Sequence, residues 1–156
     1  MYKKIKLKDI EYAQYENGHL IPIELLRETV SITKPITLMP YLADLASETQ
    51  EHFLVITLDG HHQVIKRHVV TIGLANQSQI HPRETFKPAI VDHAVSIIVA
   101  HNHPSGHMQA SEADLSATKR LFDAGKILGI PLLDHLIFHG SQVYSIRETH
   151  PHLFGA

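Results

Sequence analysis

Two apolar segments constrain the fold of this chain more than any other feature. Residues Phe53–Leu58 form an uninterrupted apolar run, which predicts a β-strand buried on both faces. Ser96–Ala100 predicts a second core strand, and the amphipathic segment 112–128 after it predicts a helix that ends at Gly129. Strands interleaved with helices predict an α/β (α+β layered) domain, in which helices flank a mixed β-sheet.

Shorter patterns complete the predicted main body. Asp59-Gly60 predicts a turn into a returning strand at Val64–Thr71. Pro82 suits the first turn of a helix, and residues spaced for one buried stripe follow it: Phe86, Ala89, Ile90 and His93 or Ala94. Two further strands, 136–138 and 143–146, are predicted to form a hairpin around Gly140-Ser141.

The chain is predicted to divide into an N-terminal arm, residues 1–48, and a main domain, residues 49–156. In the arm, the alternating stretch Lys4–Lys8 predicts an edge strand with its lysines turned outward. Residues 22–31 and 38–47 are predicted to form short helices.

The composition narrows both the class of protein and the kind of metal site. The 156 residues suit one domain, and 14 Lys and Arg against 16 Asp and Glu give a net charge of −2, with no general attraction to nucleic-acid phosphates. With 0 cysteines, transition-metal ligands must be His, Asp or Glu. We expect a cytoplasmic protein that does not enter the membrane, because no segment has the length of a membrane span and the basic N-terminus has no signal-peptide core.

A polar motif follows the second core strand. His101 and His103 are one residue apart, and Asp114 lies in the first turn of the predicted helix. These three side chains can hold one zinc ion and leave its fourth position open, as in catalytic zinc sites. A second pair with the same spacing, His150 and His152, lies in a polar tail with no nearby carboxylate partner, and we interpret it as a solvated surface pair.

Several of these residues also allow a purely structural interpretation. Ser111 and Asp114 have the spacing of a capping box, which is compatible with a metal-ligand role for Asp114. Glu51, directly before the first core strand, is a candidate general base, but Glu48 is an equally good candidate on its own. His107 allows either a role near the metal or a surface role, and Asp134 allows either a hydrogen bond to a ligand imidazole or a structural turn role.

The order of these motifs resembles a known family. His-x-His, seven residues and then Ser-x-x-Asp matches the JAMM (MPN+) metalloprotease signature, and the surrounding sequence resembles the RadC family of bacterial proteins. The resemblance covers roughly residues 49–148, and it includes residues 50–53, 81–84 and 101–106, then Ser111, Asp114, Thr118 and residues 134–137. It departs at Ala110, where a proline is more usual in the family.

The resemblance implies a JAMM/MPN-like fold of cytidine-deaminase-like architecture. It implies His101, His103 and Asp114 as zinc ligands, Glu51 as general acid and base, and Ser111 as a group that stabilises the oxyanion. The implied activity is a zinc-dependent metallopeptidase or isopeptidase-like hydrolase, in which a zinc-activated water cleaves an amide bond of a peptide or an isopeptide-linked protein.

Two alternatives stay open at this point. One is a DNA-repair-associated protein that acts through nucleic acid or protein partners without proteolysis, and the other is a non-catalytic interaction domain. Long RadC-like proteins carry a helix-hairpin-helix region of a DNA-binding type, but residues 1–48 are too short for it and lack its Gly-rich hairpins. Direct nucleic-acid binding is therefore not expected.

Overall fold

A five-stranded mixed β-sheet organises the fold in the computed structural model, which describes residues 2–7, 10–15, 18–22, 34–73 and 80–155. The strands of this sheet lie in the order β5-β4-β6-β7-β8. Their bounds are β4 Glu51–Leu58, β5 Val64–Gly73, β6 Ser96–Asn102, β7 Leu132–His139 and β8 Gln142–Ser145. Strands β6 and β7 pair in parallel, and the other neighbours pair antiparallel. The α/β layered fold expected from the sequence is confirmed.

Helices and short turns cover this sheet. Within the described residues, the α-helices are α1 Pro82–Val91, α2 Glu112–Leu128 and α3 Ile146–Thr149. Short 3-10 helices occupy Pro35–Tyr41, Ala43–Leu45 and Pro151–Phe154. None of the helices in the described part of the chain is long and apolar enough to cross a membrane.

The two faces of the sheet carry two hydrophobic cores. Successive side chains of a strand point to opposite faces, so β6, which is buried throughout, and β4, which is buried except at Glu51, contribute to both. On one face, Phe53 and Val99 pack with Phe86 of α1 and Leu121 of α2. On the other face, the residues that pack together include Leu54, Ile98 and Phe138 of the sheet and Leu38, Leu42 and Ala46 of the arm.

The arm differs in part from its prediction. Instead of one helix over 38–47, two 3-10 helices flank Leu42, and the first begins at Pro35. The predicted helix over 22–31 lies outside the described residues except for Pro22, which ends a strand. A separate three-stranded sheet has the order β1-β2-β3, with bounds β1 Tyr2–Leu7, β2 Ile10–Tyr15 and β3 Leu20–Pro22. Its edge strand β1 exposes Lys4 and Lys6, as predicted, and Lys8 lies outside the described residues.

The predicted inner face of α1 was wrong at one end. Phe86 and Ala89 are buried, but Ile90 is 55% exposed and His93 is exposed as well. The helix ends at Val91, and His93 takes a left-handed conformation with φ of 54°, whereas Ala94, the predicted alternative to His93, packs against the core that contains Phe86.

Helix α2 begins at the same end of the sheet where β6 ends. The strand is antiparallel to β4, so the last residues of β6 lie beside the first residues of β4. A loop of residues 103–111 then leads into α2. The end of one strand, the start of another and a helix N-terminus therefore meet at one edge of the molecule.

Candidate metal centre

Three elements bring the predicted metal ligands together at this edge. His101 lies near the end of β6 and is fully buried, and His103 is the first residue after that strand. Asp114 lies in the first turn of α2 and is buried at 1% exposure. One ligand atom from each of these three residues lies within 4.8 Å of the others, so they form a group that can hold a metal ion.

The distances within the group define a small cluster of donor atoms. The Nε2 atoms of His101 and His103 are 2.9 Å apart. His101 Nε2 is 3.2 Å from Asp114 Oδ1, and His103 Nε2 is 3.4 Å from Asp114 Oδ2.

A chain of buried hydrogen bonds fixes which nitrogen of His101 can bind a metal. The Thr118 hydroxyl donates to the Asp114 carbonyl at 2.7 Å, so it accepts from His135 Nδ1, also at 2.7 Å. A neutral His135 that donates from Nδ1 must accept at Nε2, which lies 2.8 Å from His101 Nδ1. His101 therefore carries its proton on Nδ1 and presents the lone pair of Nε2 to the cluster.

Burial keeps His135 in the neutral form that this chain of bonds requires. The side chain is fully buried, and burial holds the pKa of His135 well below its ordinary value, with the nearby His101 lowering it further. Sequence reasoning identified residues 134–137 as a matching stretch but assigned no definite role to His135. Its role depends on the parallel pairing of β7 with β6, in which His135 lies opposite Val99.

The loop after β6 orients the second imidazole in the same way. His103 Nδ1 lies 2.6 Å from the backbone carbonyl of His107, so it donates there and leaves Nε2 for a metal. The side chain of His107 is exposed, and its contribution to the site is this carbonyl group.

The capping box and the ligand role of Asp114 coexist. Ser111 Oγ accepts from the Asp114 backbone N–H at 3.1 Å, and Asp114 Oδ2 accepts from the Ser111 N–H at 2.8 Å. Among the described residues, none donates a hydrogen bond to the buried Asp114 Oδ1. A buried carboxylate oxygen without a donor is costly, and here it lies 3.2 Å from His101 Nε2, the nitrogen that the bond to His135 leaves without a proton in the neutral ring. Donor atoms in this arrangement fit a bound cation.

Asp114 and His103 each favour the charged form of the other. Burial disfavours the ionised form of Asp114, but the two imidazoles more than offset it and hold the pKa of this carboxyl well below its usual range. The hydrogen bond to Asp114 raises the pKa of His103 above its ordinary value, against the opposing effect of burial.

Glu51 lies beside the ligands without joining the compact group. Its Oε1 is 3.9 Å from His101 Nε2, and its side chain is 11% exposed. Burial raises the pKa of Glu51, while the two histidines lower it by a smaller amount. A carboxylate with a raised pKa is a stronger base than one at the surface.

The group opens onto a cavity of about 510 Å³. Glu51, His103, Ser111 and Asp114 line it, together with the exposed Ser105 and His107 of the loop. Glu51 and two of the three members of the group, His103 and Asp114, therefore face the same cavity.

The remaining sequence candidates lie outside the ligand group. His150 and His152 lie 6.0 Å apart between ring centres, and their tail supplies no carboxylate to them in the described residues. Asp134 accepts hydrogen bonds from Ser145 Oγ at 2.6 Å and from the Arg147 N–H at 3.0 Å, so it joins β7 to β8 and α3. It makes no contact with a ligand imidazole among the described hydrogen bonds, and the structural interpretation of Asp134 applies.

Comparison with known proteins assigns the family. The protein-family model that describes the RadC-like JAB domain matches residues 32–151 of this chain. An UPF0758 protein of Methanospirillum hungatei is 49% identical over 124 residues, which are 78% of this chain and 55% of that protein. An UPF0758 protein of Caldanaerobacter subterraneus is 40% identical over 147 residues, which are 94% of this chain and 61% of that protein.

This chain spans about half the length of the curated relatives it matches, as the UPF0758 protein of Thermosynechococcus vestitus also illustrates: 44% identity covers 70% of this chain and 44% of the relative. The matched region contains the whole ligand group, Glu51 and the helix that carries Asp114. The chain belongs to the RadC family, with its RadC-like JAB domain over residues 32–151.

Proposed function

We propose that this chain is a zinc-dependent hydrolase that cleaves an amide bond in a peptide or in an isopeptide-linked protein. The observation that carries the proposal is the convergence of three lone pairs, on His101 Nε2, His103 Nε2 and Asp114 Oδ1, with the carboxylate of Glu51 beside them. The donor set of two imidazoles and one carboxylate, with no thiolate, suits zinc in a catalytic site. A zinc ion held by these three residues would supply a bound water with a pKa of about 7.

Glu51 is the proton carrier of the proposed reaction. Its raised pKa and its place in the cavity wall suit a carboxylate that takes a proton from the attacking water and returns it to the leaving nitrogen. The same residue thus serves as general base in the first half of the reaction and as general acid in the second.

Ser111 is the proposed donor to the oxyanion. Its Oγ already accepts from the Asp114 N–H, which leaves the hydroxyl proton free to point into the cavity that Ser111 lines. A fixed donor of this kind stabilises the negative charge that develops on the substrate carbonyl oxygen. The capping bond thereby orients the donor before a substrate arrives.

The decisive experiment replaces the proposed base with an isosteric amide. Screening of a peptide and isopeptide library against the zinc-loaded protein comes first, with Glu51→Gln as the blank. On a substrate found in that way, we expect Glu51→Gln to lower kcat by about 10²–10⁴-fold, because the amide cannot accept the proton. Zinc content and Tm should stay near those of the wild type.

Glu48→Gln is the matched control, since Glu48 precedes the same strand but its side chain is exposed. We expect this variant to keep wild-type kcat. Loss of activity in Glu48→Gln with full activity in Glu51→Gln would show that the base is misassigned. Full activity in both variants would rule out a carboxylate-assisted hydrolysis at this site.

A further inference from the structure

The residue between the two histidine ligands makes contacts that the proposed chemistry does not use. Asn102 is the last residue of β6 and is fully buried. Because side chains alternate along a strand, its amide points to the opposite face of the sheet from His101. A buried amide of this kind requires partners for both its oxygen and its nitrogen.

The oxygen and the nitrogen of that side-chain amide each form a hydrogen bond with the backbone of the segment that carries Glu51. Asn102 Oδ1 accepts from the His52 N–H at 2.6 Å, and Asn102 Nδ2 donates to the Gln50 carbonyl at 2.9 Å. A longer contact joins Nδ2 to the Glu48 carbonyl at 3.4 Å. The two short bonds flank Glu51 on either side in sequence.

These side-chain bonds lie where the backbone pairing between β4 and β6 has already ended. Backbone pairing between β4 and β6 ends with Phe53 opposite His101, so it stops before it reaches Glu51. On its other side, Glu51 lies opposite Gly73, the last residue of β5. The Asn102 side chain therefore continues the connection to β6 where the backbone ladder has ended.

We propose that Asn102 is a positioning residue, whose side-chain amide holds the backbone on both sides of Glu51 and so sets the Glu51 carboxylate against the metal group. This inference rests on the role proposed above for Glu51. Asn102 itself neither binds the metal nor contacts substrate, since its polar atoms bond to the backbone on the far face of the sheet. One short segment of β6 thereby sets both the ligands and the base: His101 and His103 supply imidazoles, and the residue between them places the carboxylate.

The contact itself is tested by amide hydrogen exchange on Asn102→Ala. Removing the amide leaves the His52 N–H without its acceptor, so we expect peptides covering residues 48–53 to exchange at least about tenfold faster. Peptides from α2 should exchange at the wild-type rate. Asn102→Asp keeps the acceptor for His52 but loses both donated bonds. Its exchange rate at residues 48–53 should lie between those of the wild type and Asn102→Ala. Unchanged exchange at 48–53 in Asn102→Ala would overturn the proposal.

The consequence for Glu51 is tested with cobalt(II), whose visible absorption reports on the ligands and water at such a site. We expect Glu51→Gln to shift the pH profile of that absorption, Asn102→Ala to shift it in the same direction, and the double variant to shift it no further than Glu51→Gln alone. Effects of the two changes that add fully, or a wild-type profile in Asn102→Ala beside a shifted one in Glu51→Gln, would contradict the proposal.

Ser145→Ala is the control for a general loss of stability. It removes another buried hydrogen bond, 2.6 Å from Ser145 Oγ to Asp134 Oδ2, in the β7–β8 connection. We expect it to lower stability without changing exchange at 48–53 or the cobalt profile. If no variant, nor the wild type, binds cobalt or zinc, the proposed function fails, whereas the exchange measurement still decides whether Asn102 holds the Glu51 segment.

Discussion

At the scale of single residues, the orientation of His101 depends on a histidine that does not belong to the ligand group. His135 accepts the Nδ1 proton of His101, and Thr118 in turn accepts the Nδ1 proton of His135. Partners of this type determine the tautomer and the ring orientation of a ligand imidazole. Buried residues, not residues at the cavity surface, therefore determine that His101 Nε2 is the nitrogen available to a cation.

We expect His135→Phe to weaken zinc binding by about 10–100-fold, because it removes the acceptor for His101 Nδ1 while filling similar space. Thr118→Val should act in the same direction with a smaller effect. Competition with a chromophoric chelator measures the affinity. His68→Phe is the control. His68 lies on β5 and pairs with Asp92 at 2.5 Å, and neither residue belongs to the ligand group. Wild-type zinc affinity in His135→Phe would show that His101 needs no such partner.

The pH dependence of metal binding follows from His103. Its pKa is raised by the hydrogen bond to Asp114, so in the metal-free protein it holds its proton to a higher pH than an ordinary histidine, whose pKa is about 6.5. A bound metal requires the unprotonated ring, so binding releases this proton and weakens as pH falls through the raised pKa. We expect affinity to fall by about tenfold per pH unit for each proton released, in titrations from pH 8 to pH 5. A flat profile over that range would exclude His103 as a ligand.

Residue types and their order predicted which side chains would lie together in the candidate site, but they did not predict the contacts between distant strands. His101, His103, Asp114 and Glu51 were expected, and the structure brings them together. His135 and Asn102 act through contacts 34 and 50 residues away in the chain, respectively. Such contacts follow from strand order and register, which no local pattern in this sequence specifies.

At the scale of the elements, α2 packs so closely against the chain leading into β7 that one position permits no side chain. A Cβ at Gly125 would lie 2.6 Å from the Ile130 carbonyl oxygen and 3.2 Å from the Leu132 nitrogen. Both are backbone atoms, so the helix and the strand would have to move apart. Phe86 of α1 closes the third side at 3.3 Å.

We expect Gly125→Ala to lower the free energy of unfolding by about 1–3 kcal/mol, the usual range for overpacking, despite the better helix propensity of alanine. Urea denaturation measures the change. Gly60→Ala is the matched control, because its Cβ would meet only Val95 at 4.0 Å, and it should be nearly neutral. A Gly125→Ala protein as stable as the wild type would mean that α2 and β7 are not packed in this way.

Elements with strong patterns were predicted well, and those that depend on tertiary packing were not. The apolar run of β4 and the capped, glycine-terminated helix α2 were both expected and both found. The inner face of α1 was extended too far, to Ile90, because helical spacing alone does not reveal where the helix leaves the sheet. The arm over residues 35–45 forms 3-10 helices that pack Leu38 and Leu42 against the sheet.

At the scale of the whole molecule, the metal group lies at one edge of a sheet that is stabilised elsewhere. Both cores consist of apolar side chains from the strands and the covering helices, and none of the three ligands belongs to either. The division of the chain at residue 48 stays a prediction, although Leu38 and Leu42 join the second core. A domain of this construction does not need a metal to bury its apolar surface.

We therefore expect the purified protein to hold about one zinc per chain and to remain folded after chelation. Circular dichroism should be unchanged, and the free energy of unfolding should fall only by the lost binding energy, about 2.7 kcal/mol for free zinc at 100 times its Kd, with a corresponding fall in Tm. His103→Ala should remove stoichiometric zinc by elemental analysis, whereas His150→Ala should leave it unchanged because that pair has no carboxylate partner. Equal zinc loss in both variants would remove the basis for this choice of site. Cooperative unfolding on chelation would mean instead that the metal is structural. A structural metal has no open position for water, so this result would contradict the proposed hydrolysis.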